Sequence, residues 1–226
     1  MKFIDDKHKK LNWWNRNYFY AGTILFIVLC ITLNAVLGFG WSLKLFDNTA
    51  SYDNFKIINF FNGLFGSMDH SGGWQHILLN MLCYAIVSFY LERKYGSINY
   101  FSLTIFICFF SRMANMLVLQ HYNAFTYGFS SANYALYAIF LIDYLFSFRK
   151  SKRNKTNIIL GAVLIPIIYL VMCFNGGVDV FGFNWWPSDF ITNSWHWAGF
   201  GTGILTALLL QITILNIEYS STKKKE

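Results

Sequence analysis

The feature that most limits this chain is a set of six apolar runs, at about 18–37, 75–91, 98–119, 128–148, 158–174 and 195–217, each bounded by polar or charged residues. A hydrocarbon layer about 30 Å thick takes roughly 20 helical residues to cross. In lipid a spanning segment must satisfy its backbone polar groups internally. The runs are therefore predicted to be helices, and the polar side chains on them are expected to face the interior of a bundle. Composition agrees, since 55% of the residues are hydrophobic, 20% aromatic and only 13% charged. That is more apolar surface than a water-soluble domain of this length can hide.

The formal charge of +7 suits either nucleic acid or a membrane surface, and the placement of the cations decides between them. Lys2, Lys7, Lys9, Lys10 and Arg16 precede the first run, and Arg93 and Lys94 follow the second. Arg149, Lys150, Lys152, Arg153 and Lys155 separate the fourth and fifth, and Lys223, Lys224 and Lys225 come after the sixth. In a six-span chain these all fall on one side, leaving only Lys44, Lys56 and Arg112 of the 18 elsewhere. The opposite side carries Asp47, Asp53, Asp69, Asp179 and Asp189. By the positive-inside rule both termini are expected in the cytoplasm, and the basic blocks read as topology signals, with no nucleic-acid partner.

The first run is too long for a signal-peptide core and lacks a small-residue cleavage site, so it is expected to remain as a helix. The four cysteines, Cys30, Cys83, Cys108 and Cys173, show no paired spacing and read as small apolar side chains. With no internal repeat, the chain divides into a basic tail at 1–17, a membrane domain at 18–217 and a basic tail at 218–226. The long connection at 38–74 is apolar over 55–64 and is expected to dip into the membrane interface.

The polar residues within the runs then carry the chemistry. His76 and Asn80 are four apart, one turn from each other on a single helix face. Gly128, Phe129 and Ser130 open the fourth run, with Tyr134 one turn below the serine. His196 opens the sixth, with Gly199 and Gly203 continuing its face. All three clusters map to the same external third of the membrane. A serine hydroxyl becomes a nucleophile when a neighbouring base takes its proton, and neutral imidazole suits that task. Small residues at 199 and 203 would let the fourth and sixth helices pack within side-chain reach. Gly128 would free the backbone for a tight entry turn. His76, Asn80 and the Ser130 amide are the candidate donors to an oxyanion. Ser131 would point about 100° away from Ser130 around the helix. Each feature alone has a plainer reading: a serine on a membrane helix commonly packs or bonds locally, and glycines at this spacing commonly mark helix contacts.

Taken in order, His76-x-x-x-Asn80, Gly128-Phe129-Ser130 and His196-Trp197-Ala198-Gly199-x-x-x-Gly203 resemble the signature of the rhomboid proteases. Leu91-Glu92, Gly96-Ser97 and Tyr134-Ala135-Leu136 extend the resemblance over roughly residues 55–212. It implies an all-α bundle of six transmembrane helices and a Ser130–His196 dyad with no carboxylate. His76 and Asn80 would support the oxyanion, and Gly128, Tyr134, Gly199 and Gly203 would pack the dyad. The implied reaction is hydrolysis of transmembrane protein substrates in the bilayer without metal or other cofactor. The implied location is a bacterial cell membrane, with the site open to the extracytoplasmic side.

The family often has glycine where this chain has Ser131, and a later helix glycine is replaced by Ala138, which predicts slightly looser packing of the fourth and sixth helices. His70 resembles a loop histidine displaced by one residue, and the family's loop Trp-Arg pair has no counterpart. Two other classes fit the composition. One is a catalytically silent rhomboid-like protein that binds membrane clients, whose usual mark is loss of the serine or histidine. The other is a small transporter, against which stands the lack of an inverted repeat or intramembrane acid pair. Asp143 is expected to reach the interface or Arg149.

Overall fold

A computed structural model of the chain describes residues 18–45, 64–70, 72–119, 128–149, 161–167 and 195–212. Among these residues all regular structure is helical: α1 (Ala21–Leu37), α2 (Trp41–Leu45), α3 (64–68), α4 (Gly73–Tyr95), α5 (Ser97–Leu119), α6 (Ser130–Arg149), α7 (161–167) and α8 (195–212). α4 and residues Ser97–Asn115 of α5 are long and apolar enough to cross a bilayer, and α1 is an apolar helix of 17 residues. Apolar segment 55–64, apart from Leu64, and Cys173 lie outside the described residues.

Large apolar side chains cover the outside of the bundle, and polar residues are buried beside its apolar core. Leu25, Val28, Leu78, Leu82, Phe106, Phe110, Leu205 and Leu209 face outward, while Asn34, Asn80, Glu92, Thr104, Asn133 and Asp143 are buried. Apolar groups on the outside and hydrogen-bonded polar groups inside are what a lipid surround demands. Cys30, Cys83 and Cys108 are buried free thiols within this interior.

Polar interior residues fix the two ends of α1. At its start the first amides have no partner within the helix. The Glu92 carboxylate, from the last turn of α4, accepts from the amides of Gly22 at 3.0 Å and Thr23 at 2.9 Å and from the Thr23 hydroxyl. An anion at a helix N-terminus is also favoured by the helix dipole. Ser97, at the start of α5, accepts from the Tyr18 amide at 2.8 Å. At the far end, Asn34 donates to the Met68 carbonyl at 2.8 Å and accepts from the His70 amide at 3.0 Å. Asp69 accepts from Gly40, from the Ser42 amide and from the Ser42 hydroxyl, at 2.8 to 2.9 Å. The segment at 64–70 is thereby stitched between α1 and α2, and the Gly128 amide donates to Gly66 at 3.2 Å.

The core beneath is aromatic. Phe26, Tyr84 and Phe129, from α1, α4 and the residue preceding α6, form a ring cluster with centroids 4.9 to 5.2 Å apart. Each such pair contributes about 0.5 to 1.5 kcal/mol beyond area burial. Phe129 is fully buried there, so the chain enters α6 from a fixed point.

At the opposite end of α6 the expectation for Asp143 is overturned. Its side chain is 1% exposed and pairs with Lys94 of α4, itself 8% exposed. Gln211 of α8 donates to the same carboxylate oxygen at 2.7 Å. Asp143 thus turns inward to join three helices, because in an apolar surround a partnered carboxylate is far cheaper than one reaching for a distant interface.

Candidate active site

The entry to α6 is built around a glycine that no other residue could replace without strain. Gly128 has φ +95° and lies against the His76 ring, where a Cβ would come 2.7 Å from Cε1. Both the backbone conformation and the space are open only to glycine. His76 is thereby held at the turn that leads into Ser130. Ser130 is the first residue of α6 and is half-buried.

α8 lies directly on α6. A Cβ on Gly199 would collide with the Ser131 carbonyl group, 2.9 Å from its carbon, and one on Gly203 would come 2.7 Å from the carbonyl carbon of Ala135. The contact is made by the backbone of α6 at 131 and 135 against bare glycines. The Ser131 hydroxyl occupies the space beside it, and Ala138 is fully buried.

The close approach sets the histidine. His196, one turn before Gly199, is 4% exposed, and its ring stacks on Tyr134 with centroids 4.3 Å apart and planes 9° from parallel. Tyr134 is one turn below Ser130 on α6, so the stack holds the imidazole on the side of the helix that bears Ser130. His196 Nδ1 has no hydrogen-bond partner among the described residues. The ring is oriented by stacking on Tyr134 and by the contact of α8 with α6.

Asn80 sits one turn deeper than His76. Its amide group donates to the His76 carbonyl at 3.1 Å and its oxygen accepts from Asn133 of α6 at 3.2 Å. Asn133 also donates to the Asn80 carbonyl at 3.0 Å. Asn80 therefore ties the helix of His76 to the helix of Ser130, giving one of the two protons of its amide nitrogen to the His76 carbonyl.

Three neighbours had gone unassigned from sequence. His70 lies edge-on to His76 with centroids 5.2 Å apart, and burial lowers the affinity of its ring for a proton to a pKa of about 3. Asn133 and Asn115 complete the set. Each is a lone amide in an apolar run, a sign of interior placement that names no partner. Among the described residues no cluster of three or more His, Cys, Asp or Glu side chains could hold a metal ion.

The family model described as the Rhomboid domain matches residues 60–212, a stretch that includes every residue placed above from His70 to Gln211. No curated protein and no solved structure matches the chain significantly.

Proposed function

The chain belongs to the rhomboid family, and on that premise we propose that it is an intramembrane serine protease that cuts membrane-anchored proteins through a Ser130–His196 dyad. The observation that carries this reading is the Tyr134–His196 stack, one turn from Ser130 and seated by the contact of Gly199 with Ser131. His196 takes the proton of Ser130 as the oxygen attacks the scissile carbonyl carbon, then delivers it to the departing amide nitrogen. Water, deprotonated by the same imidazole, releases the acyl group and restores the serine. The negative oxygen formed in each step is met by the Ser130 amide and His76, with Asn80 as the further donor. Each such preorganised donor is worth about 3 to 4 kcal/mol. Tyr134 supplies the orientation that an acid supplies in a three-residue site, and Gly128, Gly199 and Gly203 allow the approach.

The test is covalent labelling of the purified protein with a fluorophosphonate, which reports an activated serine without any choice of substrate. Wild type is expected to label, while Ser130→Ala and His196→Ala lose the label and with it cleavage of a model single-span substrate. A silent client-binding protein would leave wild type unlabelled. Labelling that survives Ser130→Ala would assign the nucleophile elsewhere.

The proposal includes six spans with both ends in the cytoplasm and the site toward the extracytoplasmic face. It rests on the charge pattern and on the grouping of His76, Ser130 and His196 at the starts of α4, α6 and α8. Reporter fusions or cysteine labelling are expected to find Lys10, Arg153 and Lys224 inside and Asp47 and Asp189 outside. An external Arg153 overturns the six-span arrangement.

A further inference from the structure

Directly beside the proposed nucleophile, a chain of two hydrogen bonds crosses three helices. Asn115 of α5 donates from Nδ2 to the Ser131 hydroxyl at 3.0 Å, and that hydroxyl donates to the carbonyl of Trp195 at 3.2 Å. Ser131 follows Ser130 in sequence, and Trp195 precedes His196. Both side chains are buried, Asn115 at 3% and Ser131 at 8% exposure. The bonding is complementary: the hydroxyl accepts from an amide that has protons to give and spends its one proton on a carbonyl. The glycine contacts fix how close α6 and α8 come. They do little to stop α6 turning about its axis or α8 sliding along it, since packing against a bare backbone has no preferred partner atom. Either movement would change the separation of Ser130 from His196. A directional bond one peptide away from each of them resists both.

We propose that Asn115 and Ser131 are positioning residues that hold the register between the nucleophile's helix and the base's helix. The inference rests on the Ser130–His196 reading. It assigns to Ser131 a function distinct from that of its neighbour: it does not touch the reacting atoms, yet the rate of reaction depends on its hydroxyl. Misplacement of reacting groups by about 1 Å costs on the order of a hundredfold. With the glycine contacts intact the displacement is smaller, and a loss of about tenfold is expected.

The experiment follows fluorophosphonate labelling of the full-length protein over a range of probe concentrations, which separates the maximal rate kinact from the apparent affinity KI. Ser131→Ala and Asn115→Leu are each expected to lower kinact about tenfold while leaving KI within about twofold. The double variant should be no slower than Ser131→Ala, because both substitutions break the same chain of bonds. Rates are scaled to the folded fraction from a thermal unfolding curve, and Asn115→Leu carries the test if Ser131→Ala does not fold. A wild-type kinact in either variant, a change confined to KI, or additive losses in the double variant overturns the proposal. Ser130→Ala run in parallel keeps the two readings apart. Complete loss of label there, beside an unchanged Ser131→Ala, defeats the register role alone, whereas label retained in Ser130→Ala removes the nucleophile and the register role together.

Discussion

Gly199→Val is expected to reduce turnover by on the order of a hundredfold or more while the protein still folds. A Cβ at 199 already meets the backbone of Ser131, and the valine methyls extend further, so α8 must move away from α6. His196 moves with α8 and Ser130 stays with α6, which is anchored through Phe129 in the ring cluster of Phe26 and Tyr84. Nucleophile and base therefore separate although neither has been altered. Gly201 supplies the control, because a Cβ there meets nothing within 4 Å. Gly201→Ala should cleave a model single-span substrate at close to the wild-type rate. Tyr134→Phe should be mild, since it keeps the stacked ring, and His196→Ala should be at least as damaging as Gly199→Val. Cleavage rates need to be read beside thermal midpoints, so that unfolding is not mistaken for lost chemistry. Near-normal cleavage by a folded Gly199→Val protein would defeat the idea that the contact of α6 with α8 assembles the site.

The second large effect concerns stability. Asp143→Leu is expected to destabilise the protein by about 3 to 5 kcal/mol, because it leaves the Lys94 ammonium buried without its counter-charge. Gln211 loses an acceptor at the same time. The combined substitution Lys94→Met and Asp143→Leu should recover much of the loss, since an apolar pair of similar volume avoids burying charge at all. Denaturant titration in mild detergent measures both. A loss under about 1 kcal/mol in the single variant would indicate a solvated pair of the surface kind. Asp143 is about 20 Å along α6 from Ser130, so the folded fraction of Asp143→Leu should label with fluorophosphonate at a nearly normal rate.

Much of the fold was legible because lipid allows a chain few choices. Apolar runs of spanning length had to be helices, and the buried Asn34, Asn80, Glu92 and Asn133 follow from the same rule that sends polar groups inward. What the pattern could not supply was partnership. Asp143 had a basic residue six positions away in Arg149, yet its charge is met by Lys94, nearly fifty residues earlier, because α4 and α6 pack side by side. Glu92 likewise serves the start of α1, seventy residues upstream. Hydrogen-bond direction and distance are properties of the packed bundle, and no spacing in the sequence encodes them.

The candidate site divides along the same line. Sequence by itself determined the membrane-helix class and family resemblance, and it picked out His76, Ser130, Tyr134, His196 and the glycines at 128, 199 and 203, because they fall at one depth of the predicted spans and follow the order of a family signature. It also determined that Ser130 and Ser131 point in different directions, since helical geometry leaves no freedom there. Only the tertiary structure decided what each direction meets. It set the His196 ring flat on Tyr134, brought the backbone of Ser131 against Gly199, engaged Asn80 with Asn133, and placed Asn115 and the Trp195 carbonyl on either side of the Ser131 hydroxyl. Side-chain size predicts helix separation only where side chains make the contact, and here the closest atoms belong to the backbone.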